Sequence, residues 1–489
     1  MVDIPSLYQS YQQALQQRAN WESVWQDCYA YALPTRETTF APSANKVPGL
    51  YDATATDATD RLAALMLSEL TPPWVEWFRL TAGDELSDGE KIQIAPSLNK
   101  ISQKLQMHLD RSNFSTEIHQ CYLDLVTVGT ACLLFEESPI GSNSAFKFTA
   151  IPLNEICLAE GPTGRLDKVF RTFQMNEADF VAKFGAEKLP KRDSNDTTTL
   201  RVIEALVPRV KGGYDYTAFL DPNSQSVPSN DEQESPFLLK EAYYTTSPFI
   251  AFRWLKAPGE TYGRSPVMKA LPDIKTANKV VELILKNATI AVTGIWLAED
   301  DGVLNPANIN LTPGAIIPKA VGSKGLTPLE APGKFDVSQL VIKDLRERIR
   351  HALLGDKLGT VCDEMKMTAT EVLERTEEMI RILGATYGRL QSELLTPLIE
   401  RAMTILRKRG EIHEIFLDGR LLNITYKSPR AENQAQKEAQ KAVAWLAAVG
   451  ELGPEALAKL NICQIIKWLN NKMGLPADFV QSEPIEGAA

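Results

Sequence analysis

The stretch that decides the fold is YGRSPVMKALPDIKTANKVVELILKNATIAV, which occupies residues 262–292. Its Ser265-Pro266 pair is typical of a helix start, because a serine hydroxyl can cap the first turn and proline needs no donor there. Pro272-Asp273 indicates either a second start or a kink. Beyond it, apolar residues keep the spacing of one helix face: Ile274, Ala277, Val281, Ile284 and Ala288. A neighbouring face carries three lysines: Lys275, Lys279 and Lys286.

The helical pattern stops at residues 293–336. This excursion contains turn-forming groups such as Thr312-Pro313-Gly314 and Ala331-Pro332-Gly333, with short strand candidates such as AIIP between them. Prolines and glycines at this density end helices and favour turns. The pattern predicts a small β-type subdomain inserted between two helices.

A second helix is predicted from SQLVIKDLRERIRHALLGD, residues 338–356. Its apolar side chains fall on one face, which we expect to point inward: Ile342, Leu345, Ile349 and Leu353. Asp344 and Arg348 have the spacing of an i,i+4 ion pair. Arg346 and Arg350 extend the charged face.

A loop and a longer helix follow. Gly355 and Gly359 interrupt the helix, and the capping box Thr368-Ala-Thr-Glu371 then predicts a new start. That helix can run to about Arg409, roughly 60 Å at 1.5 Å per residue. Pro397 is expected to kink it. Two helices around an inserted excursion, followed by a loop and a long helix, are an unusual plan for an enzyme.

The first 260 residues are predicted to form one α+β region without internal repeats. Helices are indicated over residues 5–33, 55–70 and 90–128, and a strand-rich region opens at Gly129. The strand candidates are ACLLFEE, FKFTAIP, EICLAE, KVFRTFQM, LRVIEALVPR, YDYTAFL and EAYYTTSPFIAFRWLKA. After Gly410, EIFLDGRLLNITYKSP predicts a hairpin, and helices are indicated over residues 431–449 and 455–472. The fold class is α+β, mainly helical.

The segment WVEWFRL places Trp74, Trp77 and Phe78 close together. The favoured interpretation is a core anchor where a helix docks on a sheet. A base-stacking platform for nucleic acid is the alternative, although only Arg79 supplies positive charge nearby.

Composition bounds the function. The chain has 489 residues and a formal net charge of −10, which argues against broad binding to a phosphate backbone. The six cysteines form no CxxC pair, so we expect a reduced chain without a zinc site. The N-terminus lacks the pattern of a signal peptide. The most apolar long stretch contains Glu282 and Lys286, which disfavours a membrane span.

No motif for catalysis or cofactor binding is present. The chain lacks GxxxxGK[ST], HExxH and a nucleophile elbow, and no cofactor is expected. The adjacent acids Asp363-Glu364 and Glu136-Glu137 are the candidates for a Mg²⁺ site, which leaves a metal-dependent nucleic-acid-processing enzyme as an alternative. A non-viral scaffold is a third possibility. Adjacent acids more commonly solvate a loop, so no catalytic or metal-ligating residue is assigned.

The chain resembles the portal, or head-to-tail connector, proteins of tailed phages, in particular the short-tailed, T7-like branch. The resemblance rests on the order and combination of several stretches between Asn20 and about Glu438. They are ANWESVWQDCYAYALPT, ATDRLAALMLSELTPPWVEWFRL, YGRSPVMKALPDIKTANK, LTPGAIIP, MTATEVLERTEEM, GRLQSELLTPLIERAMTIL and ITYKSPRAENQAQKE.

The resemblance implies the portal fold of wing, stem, clip and crown, assembled as a ring with a central channel. The implied divisions are a wing at 1–265, stem helices at 266–292 and 337–354, a clip at 293–336 and a tunnel loop at 355–367. A long kinked helix at 368–409 returns through the wing, a wing hairpin spans 410–430, and the crown and tail span 431–489. The tail is expected to add no long helical barrel.

The same resemblance implies a ring, usually of twelve copies, at one capsid vertex of the virion, assembled in the host cytoplasm. Double-stranded DNA would pass through it during packaging and ejection. The implied partners are a terminase motor, tail adaptor or nozzle proteins, major capsid and scaffolding proteins, and internal core proteins at the crown, with no membrane. Candidate DNA-channel residues on the stem are Lys275, Lys279, Lys286, Arg346 and Arg350. Candidate tunnel-loop residues are Lys357, Met365, Lys366 and Met367.

Overall fold

A computed structural model describes residues 4–34, 36, 49–83, 85–161, 164–189, 199–221, 238–293, 296–298, 326–328, 335–354, 384, 386–412, 422–426, 429–451, 465–466 and 468–469. Over these residues the protein is an α+β structure, as predicted. Its helices and strands share one large hydrophobic core, and a smaller cluster lies beneath the first helix.

Four helices precede most of the strands. They are α1 (Ile4–Ala32), α2 (Thr54–Leu70), α3 (Asp88–Asp110) and α4 (Phe114–Val128). The three predicted helical regions are confirmed, although the third divides into α3 and α4. A capping box of Ser87 and Glu90 begins α3, and Gly129, with φ of 77°, ends α4.

A three-stranded antiparallel sheet lies against α4. Its strands are β2 (Thr130–Glu137), β3 (Phe146–Ile151) and β9 (Phe249–Arg253), in the order β3-β2-β9. Leu133 pairs with Ala150 on one side and with Ile250 on the other. The central strand is almost wholly buried, as its apolar sequence requires.

A five-stranded antiparallel sheet runs in the order β4-β5-β6-β7-β8. Its strands are β4 (Ile156–Ala159), β5 (Lys168–Met175), β6 (Leu200–Pro208), β7 (Tyr214–Leu220) and β8 (Leu238–Tyr244). Strands β4 and β5 pair antiparallel as neighbours in the chain. Three short helices complete this region: Leu153–Glu155, α5 (Glu177–Phe184) and Ala186–Lys188. The candidate EAYYTTSPFIAFRWLKA divides between the two sheets, because the chain crosses from β8 to β9.

Helix α6 (Pro266–Thr293) begins where the sequence predicts and runs through Pro272 without interruption. The alternative of a second helix start at Pro272-Asp273 is therefore wrong. Two short strands, β10 (Trp296–Ala298) and β11 (Leu326–Pro328), pair antiparallel before α7 (Phe335–Ala352). The rest of the predicted β-type excursion, including AIIP, lies outside the described residues.

The long helix is described from residue 386. Residues 386–390 are α-helical, Gln391–Leu395 form a π turn, and α8 (Thr396–Lys408) continues with Pro397 in its first turn. The π turn was not predicted. A π turn inserts one extra residue into the helical path, which turns the following side chains to a new direction. The start predicted at Thr368 lies outside the described residues.

The chain then returns to its N-terminal half. β12 (Leu422–Tyr426) pairs antiparallel with β1 (Phe78–Ala82), and α9 (Pro429–Glu451) follows. The predicted hairpin partner of β12, EIFL at residues 414–417, lies outside the described residues. The predicted helix over 455–472 is described only at four residues, all helical.

The aromatic segment before β1 divides between core and surface. Trp77 and Phe78 are 2% and 0% exposed, so they anchor the core, and a base-stacking role is wrong for both. Trp74 is 78% exposed and has a positive φ of 67°. In the described part of the chain, no helix is both long and apolar enough to span a bilayer.

Candidate functional site

The candidate site is the helical hairpin of α6 and α7, and Tyr262 fixes the point where it leaves the sheets. The Tyr262 ring is fully buried, with its centroid 4.9 Å from that of Trp25 and 6.2 Å from that of Trp21. Its hydroxyl oxygen accepts a hydrogen bond from the Leu158 N–H at 3.1 Å. Burial raises the pKa of Tyr262 well above its usual range, so the hydroxyl stays neutral.

Gly263 crosses Gly129 at a separation that no side chain permits. A Cβ on Gly263 would lie 2.1 Å from the Gly129 carbonyl oxygen, and a Cβ on Gly129 would lie 2.6 Å from the Gly263 oxygen. The Gly263 N–H donates to Thr130 Oγ1 at 2.8 Å. This crossing locks the entry of α6 against the junction of α4 and β2.

Ser265 performs the capping role that the sequence predicts. Its Oγ accepts a hydrogen bond from the Met268 N–H at 2.9 Å and donates to the Thr127 carbonyl at 2.8 Å. Arg264 beside it pairs with Glu260 at 2.8 Å. The YGRSP motif therefore joins a buried anchor, a close backbone crossing and a helix cap within five residues.

The two helices pack as an antiparallel pair. Asp273, near the start of α6, accepts a hydrogen bond from Arg348, near the end of α7, at 2.9 Å. At the other end, α6 leads to β10 and β11 leads to α7, and these strands pair antiparallel. The predicted pair of Asp344 with Arg348 is wrong, since the Arg348 guanidinium reaches across to the other helix. The inward set Ile342, Leu345, Ile349 and Leu353 is buried as predicted.

Apolar side chains also lie on the outside of this hairpin. The exposed fraction is 49% for both Leu283 and Leu285, 71% for Leu340 and 45% for Val341. Residues two apart on a helix are separated by about 200°, so Leu283 and Leu285 face nearly opposite directions. The hairpin thus presents apolar surface on two sides.

The candidate lysines of α6 are each held by a carboxylate. Lys275 Nζ lies 2.6 Å from Asp27 Oδ2 on α1. Lys279 and Lys286 both pair with Glu282, at 2.9 and 2.6 Å. Their hydrogen bonds lower the pKa of Glu282, Lys286 first and Lys279 second. The shared carboxylate reduces the combined charge of Lys279 and Lys286 from +2 to +1, and both lysine side chains remain 62% exposed.

The candidate arginines of α7 differ from each other. Arg346 Nε donates to the buried Asp52 Oδ2 at 2.8 Å, which ties α7 to the loop before α2. Burial acts to raise the pKa of Asp52, but hydrogen bonds from Thr54 and Arg346 outweigh it and lower that pKa. Arg350 is exposed, and no carboxylate of the described residues is within ion-pair distance of it.

The candidate tunnel-loop residues Lys357, Met365, Lys366 and Met367 lie outside the described residues. The last described position before them is Leu354, which has a positive φ of 59°. For a leucine this backbone conformation is strained, and it turns the chain sharply out of α7.

A buried arginine that the sequence analysis did not single out joins β9 and the segment before α6 to the long helix. Arg253 on β9 is 1% exposed and pairs with Glu393 of the π turn at 2.7 Å and with Glu160. It also donates to the carbonyls of Thr261 and Gly164, at 3.0 and 3.2 Å. The one signal in the sequence was an arginine closing the apolar strand FIAFR, since a charge inside a buried strand requires partners.

Of the candidate acids for a metal site, only Glu136 and Glu137 lie in the described part of the chain. Within the described residues, no group of three or more His, Cys, Asp and Glu is arranged to hold a metal ion. Glu137 is paired with Lys408 and Arg409, at 2.8 and 3.1 Å. Those hydrogen bonds, the one from Lys408 foremost, lower the pKa of Glu137. Asp363-Glu364 lies outside the described residues.

Comparison with known proteins gives consistent matches over nearly the whole chain. A family model described as bacteriophage head to tail connecting protein matches residues 5–480. The probable portal protein of Bordetella phage BPP-1 is 27% identical over 489 aligned residues, covering 95% of this chain and 86% of that protein. The portal protein of Salmonella phage epsilon15 is 25% identical, covering 96% and 88%. That of Escherichia phage T7 is 23% identical, covering 83% and 75%. The matched region includes both the sheets and the α6–α7 hairpin.

Proposed function

The chain belongs to the bacteriophage head to tail connecting proteins and functions as a structural portal; from that premise we propose that α6 and α7 form the stem of a closed ring, usually of twelve copies. Under this proposal the residues before α6 form the wing, 293–336 the clip and 355–367 the tunnel loop. The long helix returns through the wing, and α9 with the residues after it forms the crown.

The observation that carries the ring is the apolar surface on two sides of the hairpin. A subunit in a ring contacts one neighbour on each side through two different surfaces. Leu283 and Leu285 face nearly opposite directions, so each can be covered by a different neighbour. Leu340 and Val341 add to this surface on α7. A monomer would leave these side chains in water, where their exposure is unfavourable.

The ring is tested by its mass in solution. A closed ring of twelve copies has a mass of about 12 × 54.2 kDa, or roughly 650 kDa, and appears as a ring in negative stain. Light scattering over a concentration series measures that mass, both alone and with scaffolding protein. A monodisperse monomer at high concentration under both conditions would contradict the proposal.

The channel is proposed to let DNA pass with weak, distributed contacts. Twelve copies carry about 12 × −10 = −120 formal charges, and like charge keeps contacts with phosphate transient. Lys279, Lys286 and Arg350 are the exposed cations of the stem that we assign to the channel. Lys275 and Arg346 are assigned a mainly structural role, because their partners Asp27 and Asp52 lie on the wing.

Removing the shared carboxylate tests this assignment. Glu282→Gln frees both Lys279 and Lys286, so binding of double-stranded DNA to the ring at low salt is expected to strengthen, with a steeper salt dependence. Replacing both lysines by glutamine is expected to weaken it. Lys211→Gln, on a hairpin of the wing, is the matched control. Equal DNA affinity in all three variants would remove these lysines from the channel.

The tunnel loop is proposed to contact DNA through Lys357, Met365, Lys366 and Met367. Deleting residues 355–367 is expected to leave ring assembly intact while lowering packaging or retention of DNA, measured as packaged genome per particle. Loss of assembly would show that these residues belong to the ring framework instead.

The proposed partners follow from the position of a portal in the virion. We propose that a terminase motor docks on the clip during packaging and that tail adaptor or nozzle proteins take that surface afterwards. Major capsid and scaffolding proteins would surround the wing, and internal core proteins the crown. Assembly is proposed to occur in the host cytoplasm. No observation favours the alternative of a metal-dependent nucleic-acid-processing enzyme.

A further inference from the structure

A cleft outside the α6–α7 hairpin contains an arginine that forms no ion pair with a carboxylate of the described residues. The cleft lies between β2, the five-stranded sheet and α8, and has a volume of about 440 Å³. Arg401 of α8 forms part of its wall and is only 6% exposed. A buried charge is ordinarily paired, because removing it from water is costly.

The hydrogen bonds of Arg401 use only part of its guanidinium. Nε donates to the Phe135 carbonyl at 3.3 Å, and Nη1 donates to the Thr246 carbonyl at 2.8 Å. Among the described residues no acceptor takes the protons of Nη2, and no carboxylate forms an ion pair with the group. The guanidinium carbon lies 5.1 Å from the ring centroid of Tyr244. The two carbonyl bonds fix the guanidinium plane and leave one edge for a ligand.

The carboxylates of the same cleft are committed elsewhere or lie at its rim. Glu204 is buried and pairs with Lys183 at 2.8 Å and with the Tyr216 hydroxyl at 2.9 Å. Glu137 is held by Lys408 and Arg409. Glu136 is exposed and acts on Arg401 only at longer range. Burial lowers the pKa of Arg401, and the electrostatic effects of Tyr244, Glu136 and Glu137 offset that shift only in part.

The balance of charges in the cleft indicates the charge of the anion that it can bind. Four cations line the cleft, namely Lys183, Lys240, Arg401 and Lys408, against the three carboxylates Glu136, Glu137 and Glu204, which leaves 4 − 3 = +1. One excess positive charge suits a single carboxylate better than a phosphate dianion. A planar carboxylate also matches the edge of a guanidinium.

We propose that this cleft binds one carboxylate group, with Arg401 Nη2 as its principal donor and Lys240 at its rim. The simpler alternative is that Arg401 only joins β2 to the turn at Thr246. The proposal and this alternative predict different behaviour of an added carboxylate, which binds in the cleft only under the proposal. The carboxylate could come from an acidic side chain of a second copy or from a small molecule, and both present the same group to Arg401.

The test uses acetate as the probe on the full chain, with binding followed by saturation-transfer NMR on the acetate methyl at constant ionic strength. We expect saturable binding by the unmodified protein. Arg401→Lys keeps the charge but loses the planar fork, and is expected to raise the Kd for acetate about tenfold. Lys240→Gln is expected to raise it about two- to fivefold. Lys211→Gln, an exposed lysine outside the cleft, is the control and should leave it unchanged.

Absence of saturable acetate binding, or the same Kd in Lys240→Gln and the control, would overturn the proposal. The Lys240 comparison decides the matter even if Arg401→Lys fails to fold. Binding by isolated subunits that disappears in the assembled ring supports a neighbouring copy as the source of the carboxylate. Binding in both states supports a free small carboxylate.

Discussion

The proposed wing, which comprises the residues before α6, and the α6–α7 hairpin differ in how they accommodate charged and apolar groups. In the wing, Arg253 is buried and held by two carboxylates and two carbonyls of the same chain. On the hairpin, Leu340 is 71% exposed, and Lys279 and Lys286 share one carboxylate at the surface. The charge of Arg253 is thus satisfied within one chain, whereas the apolar surface of the hairpin is available to a neighbouring copy.

The largest expected effect is on ring formation, when the exposed apolar side chains of the hairpin are replaced. The double variant Leu283→Gln with Leu340→Gln is expected to abolish ring formation while leaving the unfolding temperature of the subunit nearly unchanged. Both side chains are exposed in the single subunit. Their replacement therefore mainly removes contacts between neighbouring subunits. Light scattering and thermal unfolding measure the two quantities. Val210→Gln, a fully exposed position on a wing hairpin, is the matched control.

The next effect tests the wing. Arg253→Met removes the side chain that pairs with Glu393 and Glu160 and donates to two interior carbonyls, which is expected to cost about 3–5 kcal/mol of unfolding free energy. Urea denaturation followed by circular dichroism measures it. Arg61→Gln removes an arginine of an exposed pair and should change stability by less than about 1 kcal/mol. Equal effects of the two variants would show that burial does not distinguish these ion pairs.

A third effect uses pH to separate two buried aspartates. Burial raises the pKa of Asp124 in the wing to about 6, despite its contacts with Arg36 and Tyr29. The folded state then holds this proton more tightly than the unfolded state, so its contribution to stability falls by about 3 kcal/mol as pH rises from about 4 to 6, and is level above that. Unfolding midpoints of the unmodified protein and Asp124→Asn across this range measure the difference.

Asp52, which holds Arg346 of the hairpin, is expected to behave in the opposite way. Its pKa is lowered, so its contribution is fully present above about pH 4 and is lost as pH falls through its folded pKa. The difference between the unmodified protein and Asp52→Asn should therefore be constant from pH 5 to 8 and shrink below 4. The same slope for both aspartates would contradict the assignment.

The smallest expected effect is on the surface charges of the hairpin. Replacing Lys279 and Lys286 by glutamine is expected to leave the unfolding temperature unchanged, because exposed pairs in water contribute little to folding. Differential scanning calorimetry of the two proteins measures it. A clear loss of stability would mean that these lysines serve the fold rather than the channel.

Local features of the fold could be predicted from the sequence, and partner choice could not. Ser265 and Pro266 mark the start of α6 because a cap acts on its own first turn. The spacing of Ile342, Leu345 and Ile349 gives the buried face of α7 for the same local reason. In contrast, Arg348 has both Asp344 on its own helix and Asp273 across the hairpin within reach, and only the packed geometry selects the second.

The same distinction between local features and distant partners holds for the candidate site. The sequence placed the three lysines on one helix. It did not predict that Lys275 pairs with Asp27 of α1, which lies far from it along the chain. The π turn at Gln391–Leu395 was not predicted, and within it Glu393 pairs with Arg253 of a distant strand while Leu394 is buried. Such pairings depend on contacts between distant segments, which spacing along the chain does not encode.

The crossing of Gly129 and Gly263 constrains how this chain can change over generations. Each backbone occupies the space that a side chain on the other would need, so no single substitution at either position is neutral, and a second substitution cannot repair the first. We expect relatives that retain this crossing to carry glycine at both positions, whatever happens to the charges of the channel. The entry to α6 is thus expected to tolerate no side chain at either position, while the surfaces it positions remain free to adapt.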